Sequence, residues 1–422
     1  MLLDFAIIAF FLIAGLGALL PSFWAWRMIL DYYRRSGVTP AVGDSRPRAA
    51  VVLCLRGVDP SLERCLSGLL RQDYPSFHLY IVFDNAADKS WSRVHEILAA
   101  GIPPHIDVHT NVLKKPCSKC SLKVCSQLQA VSELPPDIDV VAFIDADSIP
   151  APDWLRAMIA PLCDPAVGAT SGIRWFAPFD CGWGSLVRHV FNSGSYPQMH
   201  TYDHAWGGSL AIRSEVFRRS NLKDCWERAF CEDGAVAGPL RAMGLKLVFV
   251  PAATHINTET ITFENSIRFI QRQFVCTRLD HVDWPILLAS NMFHAAAVLS
   301  LIIAVVIGIA VESMEVIGAG VGILALFAGS MYAALMTAEC LIRRNYRLRG
   351  LAPPPLVWTW KMLPAFFLTQ VVCMVLLVRA HFAQQVTWRG IQYNIDGPGK
   401  IQLEKYEPYQ PPDQLPSEHS TL

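Results

Sequence analysis

Asp145-Ala146-Asp147 follows directly on the apolar run Val140–Ile144. Side chains two apart on an extended segment share one side, so both carboxylates can face one ligand beyond that run. Two carboxylates placed this way repel each other unless a cation lies between them and an anion. Hard oxygen donors suit Mg²⁺ or Mn²⁺, and a diphosphate is the anion such an ion bridges well. D-x-D alone is weak evidence, because acidic loops are commonly just solvated. Its position behind a buried apolar run raises its weight. A second acidic pair, Glu232-Asp233, precedes a helical-looking stretch at 234–243. Helix starts favour acidic residues through the dipole, which is the plain reading. Taken with the D-x-D upstream and Gly207-Gly208-Ser209 between, a shared site is the better one.

These residues need a scaffold that brings strand ends together. Ala49–Leu55, residues 79–83 and Val140–Ile144 are apolar runs of strand length, while 60–71 and 121–134 carry apolar residues at helical spacing. Strands alternating with helices predict an α/β fold with a mostly parallel sheet and ligands at the carboxyl ends of its strands. Asp84-Asn85 closes the second run as Asp145 closes the third.

The 422 residues are 52% hydrophobic and 17% charged, a mixture of two materials rather than one. Residues 5–26 hold no charge and are followed by Arg27, Arg34 and Arg35; Asp4 leads them, unlike a cleavable signal peptide. Residues 286–311 and 316–338 read as a hairpin with a short acidic outer turn, and Arg343, Arg344, Arg347 and Arg349 follow. The positive-inside rule places both basic exits in the cytoplasm, so the sequence predicts a multi-pass integral membrane protein with a cytoplasmic catalytic domain. A third stretch, 356–378, is interrupted by Lys361 and Pro364 and either spans or lies in the interface. The predicted organisation is an anchor at 1–30, a soluble domain at 31–262, an amphipathic interfacial helix at 263–285 and the hairpin at 286–338. A basic loop with the third apolar segment occupies 339–380, and a WRG segment with a disordered Pro-rich tail occupies 381–422.

Lys plus Arg equals Asp plus Glu at 36 each, which gives no reason to expect nucleic acid. No segment marks an obligatory protein partner. Cys117, Cys120 and Cys125 invite a zinc reading, but a fourth ligand is missing and free thiols are preferred.

VVLCLRGVDP at 51–60, QDYP at 72–75, IVFD at 81–84, Lys119, IDADS at 144–148, GGSLAIR at 207–213, Glu232-Asp233 and TWRG at 387–390 with Tyr393 occur in an order that resembles the family 2 and family 21 inverting glycosyltransferases. The nearest likeness is to ceramide glucosyltransferases and their bacterial relatives. The resemblance implies a GT-A nucleotide-sugar-binding domain attached to a small α-helical transmembrane domain. It implies Asp84 at the uracil base, Lys119 near the nucleotide, Asp145 and Asp147 at the ribose and diphosphate with Asp147 holding Mg²⁺ or Mn²⁺, and Asp233 as catalytic base. Gly208, Glu232, Arg272, Gln273, Arg278, Trp388 and Arg389 would line the acceptor side. The family's Gln/Arg-x-x-Arg-Trp signature is altered, since Gln271–Arg278 reads QRQFVCTR. The implied reaction moves a hexose, UDP-glucose-like, from a nucleotide-sugar to a membrane lipid of ceramide or sphingoid type. A processive polysaccharide synthase and a non-enzymatic membrane binding or transport protein are the alternatives. The first would normally rely on the altered signature, and the second lacks paired intramembrane charges.

Overall fold

The structure is a computed structural model that describes residues 2–36, 47–407 and 409. Seven strands build the main sheet: β1 (Ala49–Leu55), β2 (Phe77–Phe83), β3 (Ile106–Val112), β4 (Val140–Ile144), β5 (Val167–Phe176), β6 (Ser209–Arg213) and β7 (Lys246–Asn257). Their order is β3-β2-β1-β4-β6-β5-β7. Only β6 runs against its neighbours, β4 and β5. A sheet covered on both faces needs apolar residues on both, which is why AAVVLCL and VVAFI show no alternation. Leu53, Ile81 and Ile144 pack on one face, and Val52, Val82 and Phe143 on the other.

The helix Leu122–Ser132 opens on Ser121, whose hydroxyl accepts from the Val124 amide at 3.3 Å. That cap fixes the first helical turn, including Lys123, beside the strand ends. The reversal before β6 depends on two glycines. A Cβ on Gly207 would strike the Glu232 carboxylate, and one on Gly208 the Trp206 indole.

Four helices are long and apolar enough to cross a membrane: Asp4–Arg35 within the helix Leu2–Arg35, Trp284–Ala310, Met314–Leu348 and Met362–His381. The first three pack on one another, and Gly17 lets the first approach Ala297 and Phe293 closely. Buried polar contacts tie this bundle to the sheet domain. Tyr32 and Thr254 share a hydroxyl hydrogen bond of 3.1 Å, and Asn345 donates to the Pro251 carbonyl at 2.8 Å. Met362–His381 instead packs on Phe263–Asp280 and Trp183–Tyr202, with Leu376 set among Val187, Phe191 and Ile270.

Two expected boundaries shift. Arg343, Arg344 and Arg347 stand on the continuous helix Met314–Leu348 rather than in a basic loop, because no Pro or Gly falls between Gly329 and Gly350. Ahead of the Pro-rich tail, the WRG segment is part of a small antiparallel sheet of β8 (Gln385–Trp388), β9 (Ile391–Gly397) and β10 (Lys400–Lys405). Ile391, Tyr393 and Ile395 alternate inward and are buried, which pins the sheet to the catalytic domain. The Pro-rich remainder, 410–422, lies outside the described residues.

Candidate active site

The carboxyl ends of β1, β2 and β4 meet at a cavity of about 940 Å³ lined by Arg56, Asp84, Lys123, Asp145, Asp147 and Arg174, among others. Asp84 ends β2 and is buried. Its Oδ2 is held by Arg56 and accepts from the Tyr406 hydroxyl at 3.1 Å, while its Oδ1 has no hydrogen-bond partner. A buried acceptor left unpaired costs free energy, so this oxygen is suited to a ligand N–H. Burial raises the Asp84 carboxyl above its ordinary range, opposed by Arg56.

Lys123 Nζ lies 2.6 Å from Asp145 Oδ1 and 2.6 Å from Glu232 Oε1. Burial works against its charge, yet the two carboxylates hold the ammonium well above its usual range. Arg174, near the end of β5, reaches Asp147 Oδ1 at 2.8 Å and Asp145 Oδ2 at 3.5 Å. Its guanidinium stacks over Trp206, 5.0 Å from the ring centre. Burial opposes the charge on Asp145, but Lys123 and Arg174 hold its carboxyl below the ordinary range. Burial dominates at Asp147 and raises it. The two carboxylates converge on one cationic group from one side, and the donors are all oxygen. That set fits a hard divalent cation.

Asp233 follows in the 232–234 turn. Its Oδ2 accepts from the Gly207 amide at 2.9 Å and its Oδ1 from the Gly234 amide at 2.8 Å. Burial raises its carboxyl, against the pull of Lys123 and the two amides. The Asp280 carboxylate accepts from the amides of Phe230 (3.1 Å) and Cys231 (2.7 Å) and so fixes this turn from the end of the helix Phe263–Asp280.

The expected residues sort into three groups. Asp84, Asp145, Asp147, Arg272, Trp388 and Arg389 line the cavity. Gly208, Glu232 and Asp233 stand directly behind its wall, against Asp145 and Lys123. Lys119, Gln273 and Arg278 do not reach it. Lys119 is exposed, and Lys123 holds the position in the cavity. Arg278 donates to the carbonyls of Ala380 and Ala383 and closes the end of the Met362–His381 helix. Elsewhere on the cavity wall, the Arg272 guanidinium lies 5.8 Å over the Trp388 ring. Arg389, in a left-handed backbone conformation at φ 46°, pairs with Asp59 at 3.3 Å and donates to the Arg56 carbonyl. Arg56, Asp59, Lys123 and Arg174 are cavity-lining residues that motif reading left unassigned. The three thiols at 117, 120 and 125 form no disulfide.

A mostly parallel sheet with one reversed strand, and paired carboxylates beyond β4, define a glycosyltransferase of GT-A fold. The chain belongs to glycosyl transferase family 21, whose profile matches residues 12–401. Among solved structures it is similar to the mannosyltransferase PcManGT from Pyrobaculum calidifontis in complex with GDP-Man and Mn²⁺. That likeness has 20% identity and a TM-score of 0.50, over 79% of this chain and 97% of that one. It is also similar to S. aureus TarS in complex with UDP-GlcNAc, at 12% identity and a TM-score of 0.34, over 85% and 100%. No curated protein matches the chain. The protein is thus a nucleotide-sugar glycosyltransferase carrying four apolar helices of membrane-spanning length.

Proposed function

We propose that this enzyme transfers a hexose, with inversion, from a UDP-glucose-like nucleotide-sugar to a ceramide- or sphingoid-like membrane lipid at the cytoplasmic face. One observation carries this reading. The cavity joins the acidic and basic strand ends to a second region lined by Ile256, Ile261, Phe269, Leu351 and Pro354, so a charged donor and an apolar acceptor can share one space. The flanking segment exposes Trp358 and Trp360, residues suited to a membrane–water boundary.

In this mechanism the free Asp84 oxygen accepts from the base of the nucleotide. Asp145 and Asp147 would hold Mg²⁺ or Mn²⁺, which when bound neutralises charge developing on the departing diphosphate. The PcManGT complex with GDP-Man and Mn²⁺ supports that pairing of metal and donor. Asp233 takes the acceptor hydroxyl proton as the hydroxyl oxygen bonds to the anomeric carbon and the carbon–diphosphate bond breaks on the opposite side. Its raised proton affinity suits the task of a base. Arg272 and Trp388 orient the acceptor.

The same reading assigns the topology. β8 follows Met362–His381 immediately and reaches the catalytic domain through Arg389 and Asp59. Three full crossings and one interfacial helix keep that sheet in the cytoplasm; Lys361 and Arg379 at its ends snorkel toward the headgroups. Mass spectrometry of lipids from cells with and without the gene, with purified protein assayed on UDP-hexoses, tests the proposal. A gene-dependent hexosyl-lipid with inverted anomeric configuration is expected. Polymer formation without a glycolipid would favour a processive synthase instead.

A further inference from the structure

The opposite end of the main sheet carries a cluster that the cavity does not use. β2 and β3 run parallel with His78 beside Asp107 and Tyr80 beside His109. Side chains alternate along a strand, so all four stand on one face, near the start of both strands and away from the carboxyl-end cavity. His78 Nδ1, Asp107 Oδ2 and His109 Nε2 form a triangle in which each edge measures 3.1 Å. These are the residues whose ligand atoms converge as a metal-binding group of three among the described residues.

Hydrogen bonding does not explain all three edges together. An ionised carboxylate only accepts, and each ring nitrogen carries at most one proton. With both nitrogens protonated, two N–H groups confront each other. With one bare, its lone pair must face either the carboxylate or share the other ring's single proton. One cation over the triangle satisfies the three lone pairs at once. At the ~2.1 Å usual for imidazole and carboxylate on Zn²⁺, ligands 3.1 Å apart subtend roughly 95° at the ion, a facial set with room for water opposite. The His109 ring is already fixed in plane, stacked on buried Tyr80 at 4.4 Å and 15°.

We propose that His78, Asp107 and His109 bind a borderline transition-metal ion, Zn²⁺ by class, as a clip between edge strand β3 and β2. Two imidazoles select Zn²⁺ over the hard ions that suit the all-oxygen pair at Asp145 and Asp147, so the two sites separate by metal. The clip lies where pairing is weakest, since β3 has a neighbour on one side only.

Full-length protein in detergent, stripped by chelation and kept in excess Mg²⁺, is titrated with Zn²⁺ by calorimetry and with Co²⁺ by visible absorption. One equivalent is expected, with affinity lowered at least tenfold in His78→Gln and His109→Gln and unchanged in Asp147→Ala. A Co²⁺ spectrum without thiolate charge-transfer bands is expected as well. Nucleotide binding checks that each histidine variant is folded, circular dichroism checks Asp147→Ala, and Asp107→Asn gives the same readout should a histidine variant fail that check. No uptake by the unmodified protein, or uptake that persists in the His78 and His109 variants through Cys117, Cys120 and Cys125, overturns the proposal.

Discussion

The Tyr406 hydroxyl donates to Asp84 Oδ2 across 3.1 Å, joining residues 322 positions apart. Asn85 Nδ2 in turn donates to the Tyr406 oxygen at 3.2 Å. The wall that β2 begins is therefore finished by the residue that follows β10, and the expected effects of substitution follow from which wall is touched.

Asp233→Asn keeps the size of the side chain but removes the proton acceptor. Turnover should fall by at least ~10²-fold while nucleotide affinity holds, as expected for loss of a general base. Steady-state rates beside calorimetric nucleotide titration check this. Turnover near the unmodified level removes Asp233 from the chemistry.

Asp147→Ala leaves one carboxylate to compete with water for the cation. Nucleotide affinity should lose its dependence on Mn²⁺, and activity should be abolished. Titrating nucleotide at several Mn²⁺ concentrations reads the coupling directly. Coupling as strong as in the unmodified protein refutes the assignment.

Lys123 is a cation that lowers the proton affinity of Asp233 against the effect of burial. The base works only when deprotonated, so turnover falls as pH drops through its folded-state pKa. Removing the cation in Lys123→Met raises that pKa, and the acid limb of the kcat profile should move to higher pH. An unmoved limb at matched metal occupancy shows that another group sets it.

Trp388 sits under Arg272 and 5.5 Å from the Phe230 ring, and the proposed function gives it to the acceptor. Trp388→Ala should therefore raise the KM for acceptor by roughly tenfold, the scale of a few lost contacts of about 1.4 kcal/mol in total. Nucleotide binding should change much less. Equal losses of both would assign Trp388 a merely structural role.

Asp396 is exposed on β9. A cysteine there, in a protein cleared of reactive thiols, should resist an impermeant reagent in intact cells and react after permeabilisation. Labelling of intact cells would place the small sheet outside and contradict the interfacial helix.

Where burial dictates composition, sequence and structure agree closely. Val140–Ile144 is the strand expected, residue for residue, because five buried positions in a row leave little freedom for polar side chains. Asp145, Asp147 and Asp84 follow from it. Lys119 and Lys123 differ by a subtler signal: Ser121 caps the helix, so Lys123 belongs to its first turn while Lys119 stays in the loop. Arg174 was legible in principle, as the lone charge in a buried strand that reads VGATSGIRWF. The tail sheet alternates Ile391, Tyr393 and Ile395 around a Gly-Pro-Gly turn, but these are short strands whose pairing is set by tertiary packing rather than by local propensity. Contacts such as Asp280 to the Phe230 amide span 50 residues and leave no local trace.

The small sheet also sets a schedule. Tyr393 accepts from the Leu122 amide at 3.2 Å, and the Leu403 amide donates to the Ser118 carbonyl at 2.9 Å, so the start of the helix that presents Lys123 is buttressed by residues made much later, Tyr393 lying 271 positions further along the chain. The seven-stranded sheet leaves the ribosome far earlier, and domains fold as units while the chain is still growing. Donor binding would then mature only after the membrane helices have been inserted and the final strands have returned to dock. A nascent chain that has not yet reached β10 would hold its catalytic cavity unsealed, which delays sugar transfer until these three strands have been made and docked.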